Sequence, residues 1–391
     1  MLLYFVVYFF IGVKYLMTTF NFVHTADLHL GSLFSSTPEV AKERQREQLD
    51  TLKQILDMCT QRSADALLIA GDLFDSIRVE EDLLRDVKTL LSHYTFRIFI
   101  TPGNHDPATP DSCYHGEWPE NVHIFLGGME KVEIPEKNTC VWGAGFTKSA
   151  CDETLLKNFM PVSSRINVLM MHGELVDGEN SDSRYNPISR EALRRCGADY
   201  VALGHTHQYE HYEVGDFLYC YCGAPAGRGF DETGAKGVVC GYASKGFAYV
   251  EFYPLDNREY CTEKVDVTGC EGTEQFAGRI VTVLRDRHGE KFANNLYDLT
   301  LIGTLSGGVV PSLPDIVRRL KGSVFYTRLT DKTSTTLDME LLMNDSTLKG
   351  AFVRRIFDKM QADSRNRDKY MRALLYGLRA FEGDVTVNED Y

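Results

Sequence analysis

Asp72 stands where the apolar run Ala66-Leu67-Leu68-Ile69-Ala70 stops, at Gly71-Asp72-Leu73-Phe74-Asp75. Fragments of the same character lie on either side of it: Asp27-Leu28-His29, Gly103-Asn104-His105-Asp106, His172-Gly173 and Gly204-His205-Thr206-His207. Each follows an apolar stretch that reads as a buried strand. In open α/β sheets, ligands collect at the carboxyl ends of strands. Five strand ends delivering Asp, His and Asn to one sheet edge therefore predict a metal site of nitrogen and oxygen donors. Mixed imidazole, carboxylate and amide ligands favour manganese, iron or zinc over calcium. A lone histidine is usually structural or exposed, so His93, His115, His123, His211 and His288 receive no role, and His24 is expected to pack at a strand end.

The order Asp-x-His, Gly-Asp-x-x-Asp, Gly-Asn-His-Asp, His and Gly-His-x-His resembles the calcineurin-like metallophosphoesterases, from about Phe20 to Tyr209. Within that superfamily the chain is most similar to the SbcD family of DNA repair exonucleases. Phe22 to Gly31, Gly71 to Asp75, and Gly223-Ala224-Pro225 before Gly227 to Glu232 carry that likeness. Protein phosphatases of the superfamily carry Arg after the second Asp and Glu after Asn-His; Ser76 and Asp106 stand there instead.

The resemblance implies a two-metal phosphodiesterase. It places Asp27, His29 and His207 on one metal and Asn104, His172 and His205 on the other, with the two carboxylate oxygens of Asp72 suited to bridge them. Two ions about 3.5–4 Å apart clamp the phosphate and generate hydroxide from water. His105, beside a ligand but assigned to neither metal, would face the leaving oxygen. Asp75 would orient its imidazole, and Asp106 would either share that task or fix the loop. Manganese is the metal the SbcD likeness favours. A coiled-coil ATPase partner of the SbcC kind, DNA as substrate and a homodimer are also implied by resemblance. A small-molecule or nucleotide phosphodiesterase is the alternative.

The elements that must position these residues follow the same alternation. Helix is expected over Thr37 to Arg62 after Pro38, over Glu80 to Ser92, over Asp152 to Phe159 and over Ile188 to Cys196. Strands are expected over Phe20 to His24, Ala66 to Ala70, Phe96 to Thr101, Ile166 to Met171 and Tyr200 to Leu203. The β segments in Tyr209 to Tyr221 and Gly237 to Tyr253 suggest a second sheet packed on the first. The expected fold class is an α/β sandwich, two sheets flanked by helices, with a small α+β cap and C-terminal helices. The expected divisions are an apolar extension over 1–19, a metallophosphoesterase domain over 20–259, a cap over 260–345 and a helical partner-binding segment over 346–391.

The 391 residues carry a formal charge of −13, which argues against a uniformly basic nucleic-acid binder. The distribution is uneven. Lys349 to Arg379 holds nine Lys or Arg against three Asp, a net of +6, leaving about −19 for the remainder. A basic amphipathic segment of this kind is a helix pair docking on a partner, a DNA contact or a solvated surface; the SbcD likeness raises partner docking. Ten cysteines without a Cys-x-x-Cys pair read as reduced thiols of a cytoplasmic protein. Met1 to Val13 is almost wholly apolar. No positive charge precedes it, as a signal peptide requires, and Lys14 interrupts it short of the roughly 20 residues that span a bilayer. The preferred reading is an extension preceding a start at Met17, with no membrane role.

Overall fold

The strands of this chain form where apolar residues run on without alternation, because both of their faces are covered. In Ala66–Ala70, Ala66, Leu68 and Ala70 face one core while Leu67 and Ile69 face another, and all five are fully buried. The computed structural model describes residues 18–178, 182–214, 217–306, 309–335 and 339–381. The apolar stretch Met1 to Val13 and the question of a start at Met17 lie outside the described residues. The chain divides into two compact units. One comprises the described residues up to Thr262 with Asn294–Leu296, the other Glu263–Ala293 and the described residues from Tyr297 onward.

In chain order the first unit contains β1 (Phe20–Thr25), α1 (Ala41–Gln61), β2 (Ala66–Ala70), α2 (Glu81–Ser92), β3 (Arg97–Thr101), β4 (Val122–Ile124), β5 (Glu130–Ile134), β6 (Thr139–Ala144) and β7 (Ile166–His172). The short pair β8 (Leu175–Val176) and β9 (Ile188–Ser189) follows, then α3 (Arg190–Arg195), β10 (Tyr200–Gly204), β11 (Glu210–Val214), β12 (Phe217–Tyr221), β13 (Gly237–Ser244) and β14 (Phe247–Pro254). They build two six-stranded sheets, ordered β14-β13-β1-β2-β3-β4 and β11-β12-β10-β7-β6-β5. The central strands of each are parallel, and antiparallel partners close the edges.

The sandwich expected from the sequence is present, with one reassignment. Gly237 to Tyr253 does not join Tyr209 to Tyr221 in the second sheet. It extends the first, with β13 antiparallel to β1 in the register Phe20↔Ala243. The second sheet is instead built around β7 and β10, which carry His172 and the approach to His205. The site is thus fed by strand ends of two facing sheets rather than by one edge. Between the sheets lie Phe20, Phe22, Leu68, Phe99, Phe125, Val168, Met170, Tyr200 and Cys220. Helices α1 and α2 cover the outer face of the first sheet through Leu52, Ile55, Leu56, Val87 and Leu91. Cys140, Leu169, Leu193 and Leu203 pack on the outer face of the second.

Two local expectations are also revised. Asp152 to Phe159 forms only a 3-10 turn over Leu155–Asn158, where the Thr154 side chain accepts from the Leu156 amide and Pro161 follows closely. Ile188 to Cys196 begins as strand, pairs with β8, and turns helical only at Arg190, where the Ser189 hydroxyl accepts from the Ala192 amide.

The second unit opens with β15 (Tyr260–Asp266) and contains α4 (Thr273–His288), β16 (Leu296–Ile302), β17 (Thr304–Leu305), α5 (Leu313–Leu320), β18 (Tyr326–Asp331), β19 (Ser334–Thr335), α6 (Met339–Asn344), α7 (Leu348–Ala362) and α8 (Arg367–Phe381). A three-stranded sheet, β15-β16-β18, is its frame. The C-terminal helices pack on each other through Val353, Leu374 and Leu378, flanked by Phe352, Ile356 and Met371. Arg355, Lys359, Arg367, Lys369 and Arg372 remain exposed. Among the described residues no helix is long and apolar enough to cross a membrane.

Candidate metal centre

The loops after β1 and β2 continue the strand pairing beyond the sheet. The Asp27 amide donates to the Gly71 carbonyl at 3.0 Å, His29 to Asp72 at 3.0 Å and Leu30 to Leu73 at 2.9 Å. Helix α1 pins the first of these loops, because Gln48 donates to the His29 carbonyl at 2.6 Å and accepts from the Gly31 amide at 3.1 Å. Asp27, His29, Asp72 and His205 all hold positive φ angles, of 53°, 47°, 51° and 108°. Such conformations are costly for residues with a side chain and persist where the surroundings over-determine them. Gly103 passes so close to the Asp72 carboxylate that a Cβ there would overlap it.

All seven residues expected as ligands converge. Asp72 Oδ2 lies 3.7 Å from His29 Nε2 and 3.3 Å from His172 Nε2. On one side, His29 Nε2 stands 3.3 Å from His207 Nε2, which is 3.7 Å from Asp27 Oδ1. On the other, Asn104 Oδ1 lies 3.0 Å from His172 Nε2 and 3.2 Å from His205 Nδ1. Both Asp27 oxygens accept from the His205 amide at 3.1 Å. Asp72 Oδ1 accepts from the His105 amide at 3.0 Å.

This donor set fits divalent cations. Asp27 and Asp72 are each 1% exposed, and neither pairs with a Lys or Arg among the described residues. Buried carboxylates without a cationic partner are expensive, and coordination of a metal is one way to compensate them. The field is strong enough to draw positive charge inward. Burial lowers the His172 pKa, but the charges of Asp72 and Asp27 more than reverse this, to about 9. Burial opposes ionisation of Asp72, yet His172 and His29 hold its carboxyl below the usual range. His205 falls to about 4 through burial and then the charge of His172. Lone pairs also converge: the Ala70 carbonyl, 3.0 Å from His172 Nδ1, holds a proton there and leaves Nε2 to face Asn104 and Asp72.

Three residues beside these donors do something other than the sequence suggested. The Asp75 carboxylate is not the partner of His105. It lies 4.0 Å from His105 Nδ1 but 3.1 Å from His29 Nδ1 and 3.0 Å from Arg228 Nη1. What reaches His105 Nδ1, at 3.3 Å, is the main-chain carbonyl of Asp75. His105 is 44% exposed in its side chain, with its ring edge-on to His29 at 4.6 Å. Asp106 fixes the loop: buried, it accepts from the Gly103 amide at 2.7 Å, the Phe74 amide at 2.9 Å and the Tyr114 hydroxyl at 2.5 Å. Burial and then the charge of Asp72 push its carboxyl up to about 6. Arg228 sits between two carboxylates, Asp75 and Glu232.

Glu232 was missed as a site residue. Its Oε1 accepts from His207 Nδ1 at 2.7 Å. Burial raises the Glu232 pKa, but His207 and Arg228 bring it down to about 2. No spacing rule marks a carboxylate 25 residues beyond its histidine. His24 is where packing placed it, fully buried with Nδ1 2.8 Å from the Tyr200 hydroxyl.

Residues 20–209 match the calcineurin-like phosphoesterase family. The chain is 30% identical over 270 residues to the uncharacterized metallophosphoesterase YhaO of Bacillus subtilis, covering 65% of this chain and 64% of that one. It is 26% identical over 276 residues to the DNA double-strand break repair protein Mre11 of Haloferax volcanii, covering 66% and 57%. To SbcD, the smaller-lettered half of the SbcCD nuclease of Bacillus subtilis, it is 25% identical over 258 residues, covering 56% and 64%. The chain therefore spans less than two thirds of the length of each of these relatives.

Proposed function

The chain carries a calcineurin-like phosphoesterase domain, and from that premise we propose that it is a metal-dependent phosphodiesterase acting on DNA in the manner of the SbcD group. The observation that carries this reading is the position of Asp72 Oδ2 between His29 Nε2, at 3.7 Å, and His172 Nε2, at 3.3 Å. One carboxylate facing both donor groups suits a bridge between two divalent cations, manganese foremost.

When bound, such cations polarise the phosphoryl oxygens and activate a water for attack. Asp27, His29 and His207 would hold one and Asn104, His172 and His205 the other. His105 would serve the leaving oxygen. Its Nδ1 side is fixed by the Asp75 carbonyl, so Nε2 is the atom available to pass a proton outward. DNA placement is assigned to residues 260–345 and docking of an SbcC-like ATPase to 346–391. The printed names of two relatives, the repair protein Mre11 and the SbcCD nuclease, support this choice of substrate. Exposed Leu348, Tyr376 and Phe381 among the basic residues of α7 and α8 support a docking role. A reducing cytoplasmic setting suits a chain whose ten cysteines are all free.

The formal charge of −13 favours a second reading, a phosphodiesterase for nucleotides or other small molecules. Manganese-dependent cleavage of linear duplex and single-stranded DNA, measured beside a chromogenic phosphodiester, separates the two. Cutting of DNA supports the first. Turnover of the small ester alone, unchanged by a co-purified ATPase partner, selects the second.

A further inference from the structure

His29 and His207 are joined twice, once directly and once by a longer route through three other side chains. Directly, their Nε2 atoms stand 3.3 Å apart. On the far side of each ring a carboxylate faces Nδ1, Asp75 at 3.1 Å from His29 and Glu232 at 2.7 Å from His207. Arg228 links the two carboxylates, with Nη1 3.0 Å from Asp75 Oδ1 and Nη2 3.1 Å from Glu232 Oε1. Five side chains thus close a ring.

We propose that Arg228 is a positioning residue for the His29 and His207 pair, locking both imidazoles, through Asp75 and Glu232, in the tautomer that presents Nε2. The inference rests on the two-metal reading of the site. A carboxylate facing Nδ1 fixes a proton there and orients the ring. Asp75 and Glu232 are like charges drawn toward one place, and the guanidinium offsets their repulsion while its planar fork addresses each with a separate nitrogen. A lysine has the charge but no fork. The backbone reinforces the arrangement: the Arg228 amide donates to Glu232 Oε2 at 3.0 Å, and the preceding Gly227 carbonyl accepts from buried Arg44 on α1 at 3.0 Å.

The other donor group is built differently. His172 is oriented by the main-chain carbonyl of Ala70, which no side-chain substitution removes. Loss of Arg228 therefore acts on one group of donors and spares the other, an asymmetry that general destabilisation does not produce.

The test uses the full chain stripped with chelator, titrated with Mn2+ by calorimetry and followed by the electron paramagnetic resonance of the bound ion. Wild type is expected to take two ions. Arg228→Met is expected to keep one at wild-type affinity and bind the other about ten- to a hundredfold more weakly, the usual effect of losing an outer partner. Arg228→Lys should fall between. Glu232→Gln, which preserves volume, should repeat the selective loss and decides the matter if Arg228→Met does not fold. Two ions at unchanged affinity in Arg228→Met, or equal weakening of both, overturns the inference while leaving the two-metal reading intact. A wild-type chain that binds no divalent ion overturns that reading itself, and the inference with it.

Discussion

Nε2 of His29 and Nε2 of His207 face each other across 3.3 Å, while both Nδ1 atoms face carboxylates. With the protons on Nδ1, two lone pairs oppose one another in a buried pocket. A cation between them turns that repulsion into coordination, so metal binding is expected to stabilise the fold. At a Mn2+ concentration 100 times the dissociation constant, the gain from one ion is about 2.7 kcal/mol. Thermal melts in Mn2+ and in excess chelator measure it; identical midpoints would contradict a metal site here.

His105 makes a different prediction because it is held from behind. Its ring meets only the main-chain carbonyl of Asp75, at 3.3 Å, and its side chain is substantially exposed. His105→Asn is expected to lower turnover of a chromogenic phosphodiester by about 10²–10⁴-fold, the range of general acid catalysis. Metal content should stay at the wild-type value. Wild-type turnover with intact metal would remove His105 from the chemistry.

What the sequence made legible and what it hid divide along contact distance. Asp27, His29, Asp72, Asn104, His172, His205 and His207 sit at the ends of apolar runs, and local spacing is enough to mark such residues. Glu232, Arg228 and Gln48 act through partners far along the chain, Arg228 to Asp75 across 153 positions, and no local pattern records that pairing. Sheet membership failed for the same reason. Gly237–Ser244 reads as a strand anywhere, but its pairing with Phe20–Thr25 is a tertiary choice. Asp152 to Phe159 looked helical from composition, yet Pro161 and the short span leave it a single 3-10 turn.

Asp106 ties the loop after β2 to the loop after β3, and Tyr114 completes its set of donors with a 2.5 Å hydrogen bond in a buried setting. Tyr114→Phe removes that donor from a buried carboxyl. The expected loss is about 1–3 kcal/mol in urea unfolding at about pH 7.5, the range for hydrogen bonds to charged groups and for leaving a buried partner unsatisfied. Asp106→Asn should cost at least as much, since the Gly103 and Phe74 amides also depend on that carboxylate. A change within experimental error for both would mean the loops are held by the main-chain ladder alone.

His24 supplies a pH dependence separate from the donor cluster. Fully buried between the sheets, with Nδ1 on the Tyr200 hydroxyl, it is pushed down to about 3 by burial, only partly opposed by its hydrogen bond to the Leu203 backbone. In the unfolded chain a histidine takes up a proton near pH 6.5. Below that value unfolding binds a proton the folded state refuses, so His24 removes stability as pH falls from about 6.5 toward 3, at up to about 1.4 kcal/mol per pH unit. Above about pH 6.5 it has no effect. Between about pH 7.5 and 5.0, wild type should therefore lose about 2 kcal/mol more than His24→Gln, whose side chain does not titrate. Every other titrating group is common to both proteins, so the difference between their urea midpoints isolates His24; parallel pH profiles would show that the buried imidazole takes up its proton without unfolding.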